Sequence, residues 1–214
     1  MEITEWLSQL QEKRKSYMSK LLAQDSKLNP KLLINKISDK MGQKGIWVSD
    51  VGLNQIWATH SFTVSGSKRF LTSGGLGTMG YSLPAAIGAK IASPDTTVVA
   101  SMGDGGFQML MSDIAVVKEQ NAGVKFIIFN NGHLGMVREL QKNAYNEASY
   151  FGITLGFNPD FMKLAEAYGI KGMKISRDDE MDYAINEMFK DEEPFILECI
   201  VDPEIPSVPR IGGK

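Results

Sequence analysis

Two short segments of this chain carry side chains whose types and spacing could do chemistry. Gly103-Asp104-Gly105-Gly106 follows the apolar run 97–102 and sets one carboxylate between glycines where a buried strand should end. Asn130-Asn131 closes a second such run, 125–129. Asp104 and Asn131 stand 27 positions apart, about what a loop, a helix of three to four turns, a second loop and a strand consume. In an open parallel sheet, ligands sit beyond the carboxyl ends of the strands, so the two side chains can converge on one point. An Asp and an Asn oxygen form a partial shell for a hard cation such as Mg²⁺, which takes the rest of its oxygens from phosphate and water. Gly105 and Gly106 let a ligand approach the backbone and open a helix whose free N–H groups favour anions. The combined expectation is a Mg²⁺-bridged diphosphate. Taken alone, Gly-Asp-Gly is a weaker signal, because Asp beside Gly is commonly only a turn or a helix cap.

A third segment, TSGGLGTMGYSLPAAIGAKIA (72–92), belongs with these two. Gly74, Gly75, Gly77 and Gly80 exclude a regular helix or strand and make a tightly turning backbone against which a flat ligand can lie. Ser82 and Pro84 then start a helix whose small face, Ala85, Ala86, Gly88 and Ala89, permits close approach of a neighbour. The plainer reading is a structural strand-to-helix loop with Met79 as a gap-filler. GLGTMG also fits the loose spacing of a nucleotide-binding loop, but no acidic residue follows at the next strand end as that motif requires.

The elements that must position these residues alternate. Strands are predicted at 46–51, 97–102, 125–130, 171–175 and 195–201, with a short one near 70–72. Between them Phe107, Leu110, Ile114 and Val117 recur at helical spacing, as do Phe161, Leu164, Ala165 and Tyr168, and Met181, Ala184, Ile185 and Met188. Asn158 reads as a helix cap followed by a first-turn proline, and Asn29 with Pro30 opens another helix that ends near Gly42. Such alternation predicts an α/β fold, an open parallel six-stranded sheet with helices on both faces. A helix from Thr4 to about Leu22 precedes it, too short to bury a core of its own. The expected organisation is a linker or docking helix (1–28), a diphosphate-binding domain (29–201) and a C-terminal tail (202–214).

Bulk properties narrow the function classes. The chain has 214 residues, 43% hydrophobic and 22% charged, with a net charge of −2. Nothing in that balance suggests a nucleic-acid or membrane-surface partner. The first 44 residues hold nine Lys/Arg against five Asp/Glu, a small excess that fits a solvated lead-in helix. No apolar run reaches the length of a membrane span. Cys199, the single cysteine, excludes an internal disulfide and fits a cytoplasmic protein, and its apolar neighbours mark an inert core thiol.

Gly-Asp-Gly, 24 intervening residues and Asn-Asn match the thiamine-diphosphate-binding motif. TSGGLGTMGYSLPAAIGAK, VKFIIFNNGHLGMVRELQ and NPDFMKLAEAYGI resemble the C-terminal cofactor-binding domain of the acetolactate synthase large subunit, over essentially the whole chain. The resemblance implies thiamine diphosphate and Mg²⁺ as cofactors. Asp104, the Asn131 side chain and the His133 backbone carbonyl would ligate the metal, leaving the imidazole free to face elsewhere. Gly103, Gly105 and Gly106 would hold the diphosphate, with Gly52, Leu53 and Asn54 at the start of one flanking helix and Leu134, Gly135 and Met136 at the start of another. Gly77 and Met79 would contact the aminopyrimidine and hold the cofactor bent, and Met109 would face the same ring. The implied reaction is decarboxylation of pyruvate and addition of the resulting enamine to a second 2-oxo acid. The alternatives are the corresponding domain of another thiamine-diphosphate decarboxylase, oxidase or carboligase, or a non-catalytic cofactor-binding module.

Three departures from the family pattern qualify these expectations. Where the family often has VGQHQMW this chain has VGLNQIW, so Leu53 offers a diphosphate only its N–H, although the Asn54 side chain can donate. Leu140 stands where the biosynthetic enzymes have a tryptophan, so it and Met136 should shape the second-substrate pocket differently and weaken a preference for 2-oxobutyrate. The family's catalytic glutamate lies on an N-terminal domain, normally of a neighbouring subunit, and no glutamate here substitutes for it. No catalytic residue is therefore expected in this chain, which should be inactive alone. Its implied partners are pyruvate, a second 2-oxo acid, and the N-terminal domains or a complementary subunit, in a homo- or hetero-oligomer. Any FAD in the complete enzyme would bind mostly to the middle domain.

Overall fold

The structure is a computed structural model that describes residues 3–23, 27–145 and 150–208. Its strands are β1 (Lys44–Ser49), β2 (Ser67–Thr72), β3 (Val98–Gly103), β4 (Val124–Asn130), β5 (Lys171–Ile175) and β6 (Phe195–Ile200). They form one sheet in the order β2-β1-β3-β4-β6-β5, and every neighbouring pair is parallel. β3 and β4 lie inside and are apolar almost throughout, as a sheet covered on both faces requires.

Alternate residues of the central strands feed two cores. Val99, Ile127, Phe129 and Leu197 join α2 (Pro30–Lys40), α3 (Leu53–Ser61) and α9 (Met181–Met188) on one face. Val98, Ala100, Phe126 and Ile128 join α4 (Ser82–Ala92), α5 (Asp104–Leu110), α6 (Ile114–Glu119) and α8 (Phe161–Ala167) on the other. Phe107 of α5 meets Phe161 of α8 edge-on, with ring centroids 5.3 Å apart. Such a pair adds about 1 kcal/mol beyond its burial and ties the segment entering α8 to the start of α5.

The chain leaves β1 toward β2 and leaves β3 toward β4, on opposite sides. This switch of direction opens a crevice at the carboxyl ends of β1 and β3, where open parallel sheets bind ligands. The N-terminal helix α1 (Ile3–Leu21) lies largely in solvent. Of its residues only Leu21 is buried, and Tyr17 Oη sits 3.0 Å from His60 Nδ1 of α3.

Three local expectations are corrected. The helical spacing from Phe107 to Val117 does not make one helix, because Leu110 leaves helical geometry (φ −133°) and a short 3-10 turn at Met111–Asp113 separates α5 from α6. Gly88 does not belong to the contact face of α4; it is exposed, while Ala86 is buried. Asn158 does not cap α8. Asp160 does, accepting the amides of Met162 and Lys163.

Candidate functional site

Three helices begin where β1, β3 and β4 end: α3 after Gly52, α5 after Gly103, and α7 (Gly135–Ala144) after Leu134. None of the three has a side-chain cap. By contrast α2 and α8 are each capped in the ordinary way, by Asn29 and Asp160. The first amides of a helix have no intrahelical partner, and the positive end of its dipole lies among them. Residues from all three starts line one cavity of about 130 Å³. α4, α6 and α9 also begin without a side-chain cap, so what sets the three apart is that their starts face a common space.

Asp104 sits at the floor of this cavity and is almost fully buried. Its Oδ2 accepts the Gly132 amide at 2.9 Å and the Asn158 amide group at 2.7 Å. The backbone amides of Gly105 and of Asp104 itself also face the carboxylate. Burial pushes its pKa up, and Asn158, Gly132 and the nearby amides of Gly105 and Asp104 itself oppose that rise. A buried carboxylate met only by neutral N–H groups is unfavourable unless something positive arrives.

The loop after β4 supplies the opposite wall. Asn131 Oδ1 accepts the His133 amide at 2.9 Å, which folds the loop into a tight turn. The His133 ring turns back on its own loop, with Nδ1 2.6 Å from the Asn131 carbonyl. Leu134 N–H donates to the Ile153 carbonyl and Leu155 N–H to the Gly132 carbonyl, so this bridge does not engage the His133 carbonyl. Gly135 allows the close fit that follows: a Cβ there would lie 2.7 Å from both Asn131 Nδ2 and Leu53 Cδ1. Leu53 therefore fills space between the starts of α3 and α7, while Met136 joins the first core at its edge.

Asn54 is buried beside them and committed inward. Its Oδ1 accepts from Ser49 Oγ at 3.2 Å and Ser101 Oγ at 3.4 Å, in a network that Trp47 Nε1 joins through Ser101. Its side-chain nitrogen makes a long bond, 3.4 Å, to the Val51 carbonyl.

The glycine-rich loop is attached to the sheet by a residue that the sequence reading passed over. Asp50, fully buried at the end of β1, accepts the Val51 amide at 2.7 Å and the Gly80 amide on both oxygens, at 3.0 and 2.9 Å. It also explains Gly106, where a Cβ would meet Asp50 Oδ2 at 2.7 Å. Met79, carried by the same loop, reaches the start of α5, its methyl 3.7 Å from a Cβ built on Gly105 and close to Leu134 and Leu155.

Of the candidate residues, Gly52, Leu53, Asn54, Met79, Gly103, Asp104, Gly105 and Gly106 all line the cavity, as do Asn131, His133, Leu134, Gly135 and Met136. Gly77, Met109 and Leu140 lie outside it on exposed surface. Trp57, Phe129 and Val137 line it without having been singled out. Neither Asn158 nor Asp50 is singled out by sequence for this site: Asn158 reads as a helix cap, and Asp50 sits beside a Val-Gly turn that is the stronger local signal.

Residues 50–199 match the family described as thiamine pyrophosphate enzyme, C-terminal TPP binding domain. The chain belongs to the thiamine pyrophosphate enzymes. It is 36% identical over 217 residues to the mitochondrial acetolactate synthase catalytic subunit of Saccharomyces cerevisiae, covering 99% of this chain and 31% of that protein. It is 38% identical over 218 residues to a probable acetolactate synthase large subunit of Methanocaldococcus jannaschii, covering 98% and 36%. The acetolactate synthase isozyme 2 large subunit of Escherichia coli K12 is 39% identical over 171 residues, covering 80% and 31%. The chain spans about a third of the length of these curated relatives.

The donors of this thiamine pyrophosphate-binding domain suit a diphosphate carried by a hard cation. Among the described residues no three His, Cys, Asp or Glu side chains gather to hold a metal. A cation at Asp104 would therefore rest on one carboxylate with amide and carbonyl oxygens, an oxygen set that suits Mg²⁺ or Ca²⁺ rather than a metal that seeks thiolate or imidazole. Among the described residues no helix is long and apolar enough to cross a membrane.

Proposed function

We propose that this chain is the cofactor-binding half of an acetolactate synthase, holding thiamine diphosphate through Mg²⁺. The single observation that carries the reading is the convergence of three uncapped helix starts and one buried, half-satisfied carboxylate on one cavity. Asp104 Oδ1, Asn131 Oδ1 and the His133 carbonyl hold the metal. The amides of Gly105 and Gly106, with Leu53 and Gly135 at the neighbouring helix starts, receive the diphosphate oxygens. Because Asn54 is turned into the Ser49–Ser101 network, its part is to fix the start of α3, and the diphosphate contact falls to the Leu53 amide. Met79 supports the cofactor from the glycine-rich loop, and Gly77, Met109 and Leu140 face what lies beyond this half-site.

When bound, thiamine diphosphate supplies a nucleophilic thiazolium carbon for decarboxylating a 2-oxo acid. This chain's residues orient that group and keep water from it with Met79, Leu134 and Leu155. Among the described residues no glutamate lines the cavity, so a carboxylate for proton transfer to the bound cofactor would have to be supplied by another domain or subunit. The substrates are pyruvate and a second 2-oxo acid, and Leu140 in place of tryptophan weakens a preference for 2-oxobutyrate.

Calorimetric titration with thiamine diphosphate and Mg²⁺ tests the reading. Saturable heat that requires the metal, and that Asp104→Ala abolishes, is expected. Addition of the N-terminal domains of a relative should then yield acetolactate from pyruvate. Binding that survives Asp104→Ala, or that ignores the metal, overturns the assignment.

A further inference from the structure

Asn158 lies outside the metal shell proposed above, yet its side chain is the nearest to Asp104 that any hydrogen bond connects. Its Nδ2 group donates to Asp104 Oδ2 at 2.7 Å and to Asn130 Oδ1 at 3.0 Å, and its Oδ1 accepts from Gln108 Nε2 at 2.6 Å. Asn130 in turn donates through Nδ2 to Glu198 Oε1 at 2.8 Å, and Lys174 Nζ stands 3.3 Å from the same oxygen. Glu198 is buried in the middle of β6, and among the described residues this cation and this amide are what meet its carboxylate.

The direction of this chain of bonds is fixed from both ends. A carboxylate only accepts, so Glu198 turns the NH₂ of Asn130 toward itself and the oxygen of Asn130 toward Asn158. Asn158 must then present its NH₂ to Asn130 and to Asp104, and its oxygen to Gln108. Two amides therefore sit in a single orientation, which the network itself assigns. The end result is at Asp104. Oδ2 accepts two N–H groups, from Asn158 and from Gly132, and is held in place by both.

Resting on the reading that Asp104 binds the cofactor's metal, we propose that Asn158 is a positioning residue that pins Oδ2 and leaves Asp104 to meet the cation through Oδ1 alone. One-oxygen ligation has a consequence for which cation is held. Mg²⁺ demands near-ideal octahedral geometry and takes few carboxylate oxygens, whereas Ca²⁺ accepts bidentate carboxylates at longer range. By withholding Oδ2, Asn158 withholds the second oxygen that Ca²⁺ could use. It is thus a determinant of metal selectivity, acting through Asp104. The Phe107–Phe161 contact keeps the Asn158 segment against α5 so that this hold persists.

The test is titration of thiamine diphosphate into the chain with Mg²⁺ or Ca²⁺, for the wild type, Asn158→Ala, Asn158→Leu, Asp160→Ala and Asp104→Ala. Asp160→Ala removes the neighbouring helix cap without touching Asp104, so it loosens the same segment for a purely structural reason. Loss of a residue that orients a metal ligand typically costs about 10–100-fold in metal affinity. Both Asn158 variants should therefore bind Mg²⁺ at least about 10-fold more weakly while losing little Ca²⁺ affinity, and Asp160→Ala should keep the wild-type ratio. Wild-type affinities and ratio in the Asn158 variants, beside an inactive Asp104→Ala, would overturn the inference and leave the proposed site standing. An equal change in ratio on Asp160→Ala would overturn it too, by assigning the effect to loosening. If even the wild type shows no metal-dependent binding, the site reading fails, and this inference with it.

Discussion

Asp50 and Asp104 are both buried carboxylates, and they solve the problem of burial differently. Asp104 faces the cavity and accepts Asn158 and Gly132 on Oδ2, whereas Asp50 spends its capacity on the backbone, joining the end of β1 to Gly80 and sitting against Gly106. Burial raises Asp50 to about 6, with the amides of Val51, Gly80 and Tyr81 and the Ser82 hydroxyl pulling the other way. Since the folded value lies above the ordinary 3.8, the folded chain binds the extra proton between roughly pH 4 and 6. The charged form therefore costs stability in full above that window, and the cost is relieved as pH falls through it. Asp50→Asn keeps an oxygen for the Val51 and Gly80 amides and removes the titration. Denaturation midpoints should show the wild type losing about 1 kcal/mol more than the variant between about pH 5 and pH 7. Parallel pH profiles would mean that Asp50 does not titrate in this range. Asp104 shifts in the same direction in both proteins, so it cancels from the comparison.

Helix starts differ in what meets their first amides: side chains cap α2 and α8, whereas α3, α5 and α7 open uncapped on the cavity. Asn29 caps α2 with bonds to the Lys31 and Leu32 amides at 3.0 and 3.3 Å, and its NH₂ holds the carbonyls of Leu21 and Ala23. Asn29→Ala should lower stability in urea by about 1–2 kcal/mol and leave thiamine diphosphate affinity unchanged, because α2 contributes nothing to the cavity. A parallel fall in affinity would show the two roles to be linked. Most of this element layout is legible in the sequence. β3 and β4 announce themselves as unbroken apolar runs, and each predicted strand boundary falls within a few residues of the observed one. Asn29-Pro30 is read correctly because nothing nearby competes with it. Asn158 is misread because Asn-Pro-Asp holds two capping residues for one helix, and only tertiary contact with Asp104 decides which is used. The break at Leu110 is likewise invisible, since Phe107, Leu110, Ile114 and Val117 fit helical spacing on either side of a 3-10 turn. The strand order, which creates the crevice, is a tertiary property that no local pattern encodes.

Exposed apolar side chains occur on α1 and elsewhere, and a further group lies on the segments that follow the carboxyl ends of the strands. Leu76 is 94% exposed, Phe151 86% and Phe157 79%, and Met109 and Leu140 are also open to solvent. All five lie on the glycine-rich loop, on α5 and α7, or on the segment between α7 and α8, which are the parts of the chain that leave the carboxyl ends of the strands. Ion pairs such as Lys36–Asp182 and Lys171–Asp191 lie on other elements, although α7 also carries Arg138 and Lys142, both paired with Glu204. Scattered exposed apolar side chains are ordinary, whereas large contiguous apolar patches are where other proteins dock and cover the surface. In the proposed function that cover is a second copy or a complementary domain, which also brings the missing carboxylate. Sedimentation velocity should accordingly show the isolated chain's average mass rising with concentration. Leu76→Asp combined with Phe157→Asp should hold it at the monomer mass, with an unchanged far-ultraviolet circular dichroism spectrum. A wild type that stays monomeric at every concentration would remove the self-pairing version of the cover and leave only a different chain. Because neither substitution touches Asp104, Asn131 or the helix starts, metal-dependent cofactor binding by the double variant should persist. That persistence would separate the half-site, which this chain builds from its own backbone, from the assembly that completes it.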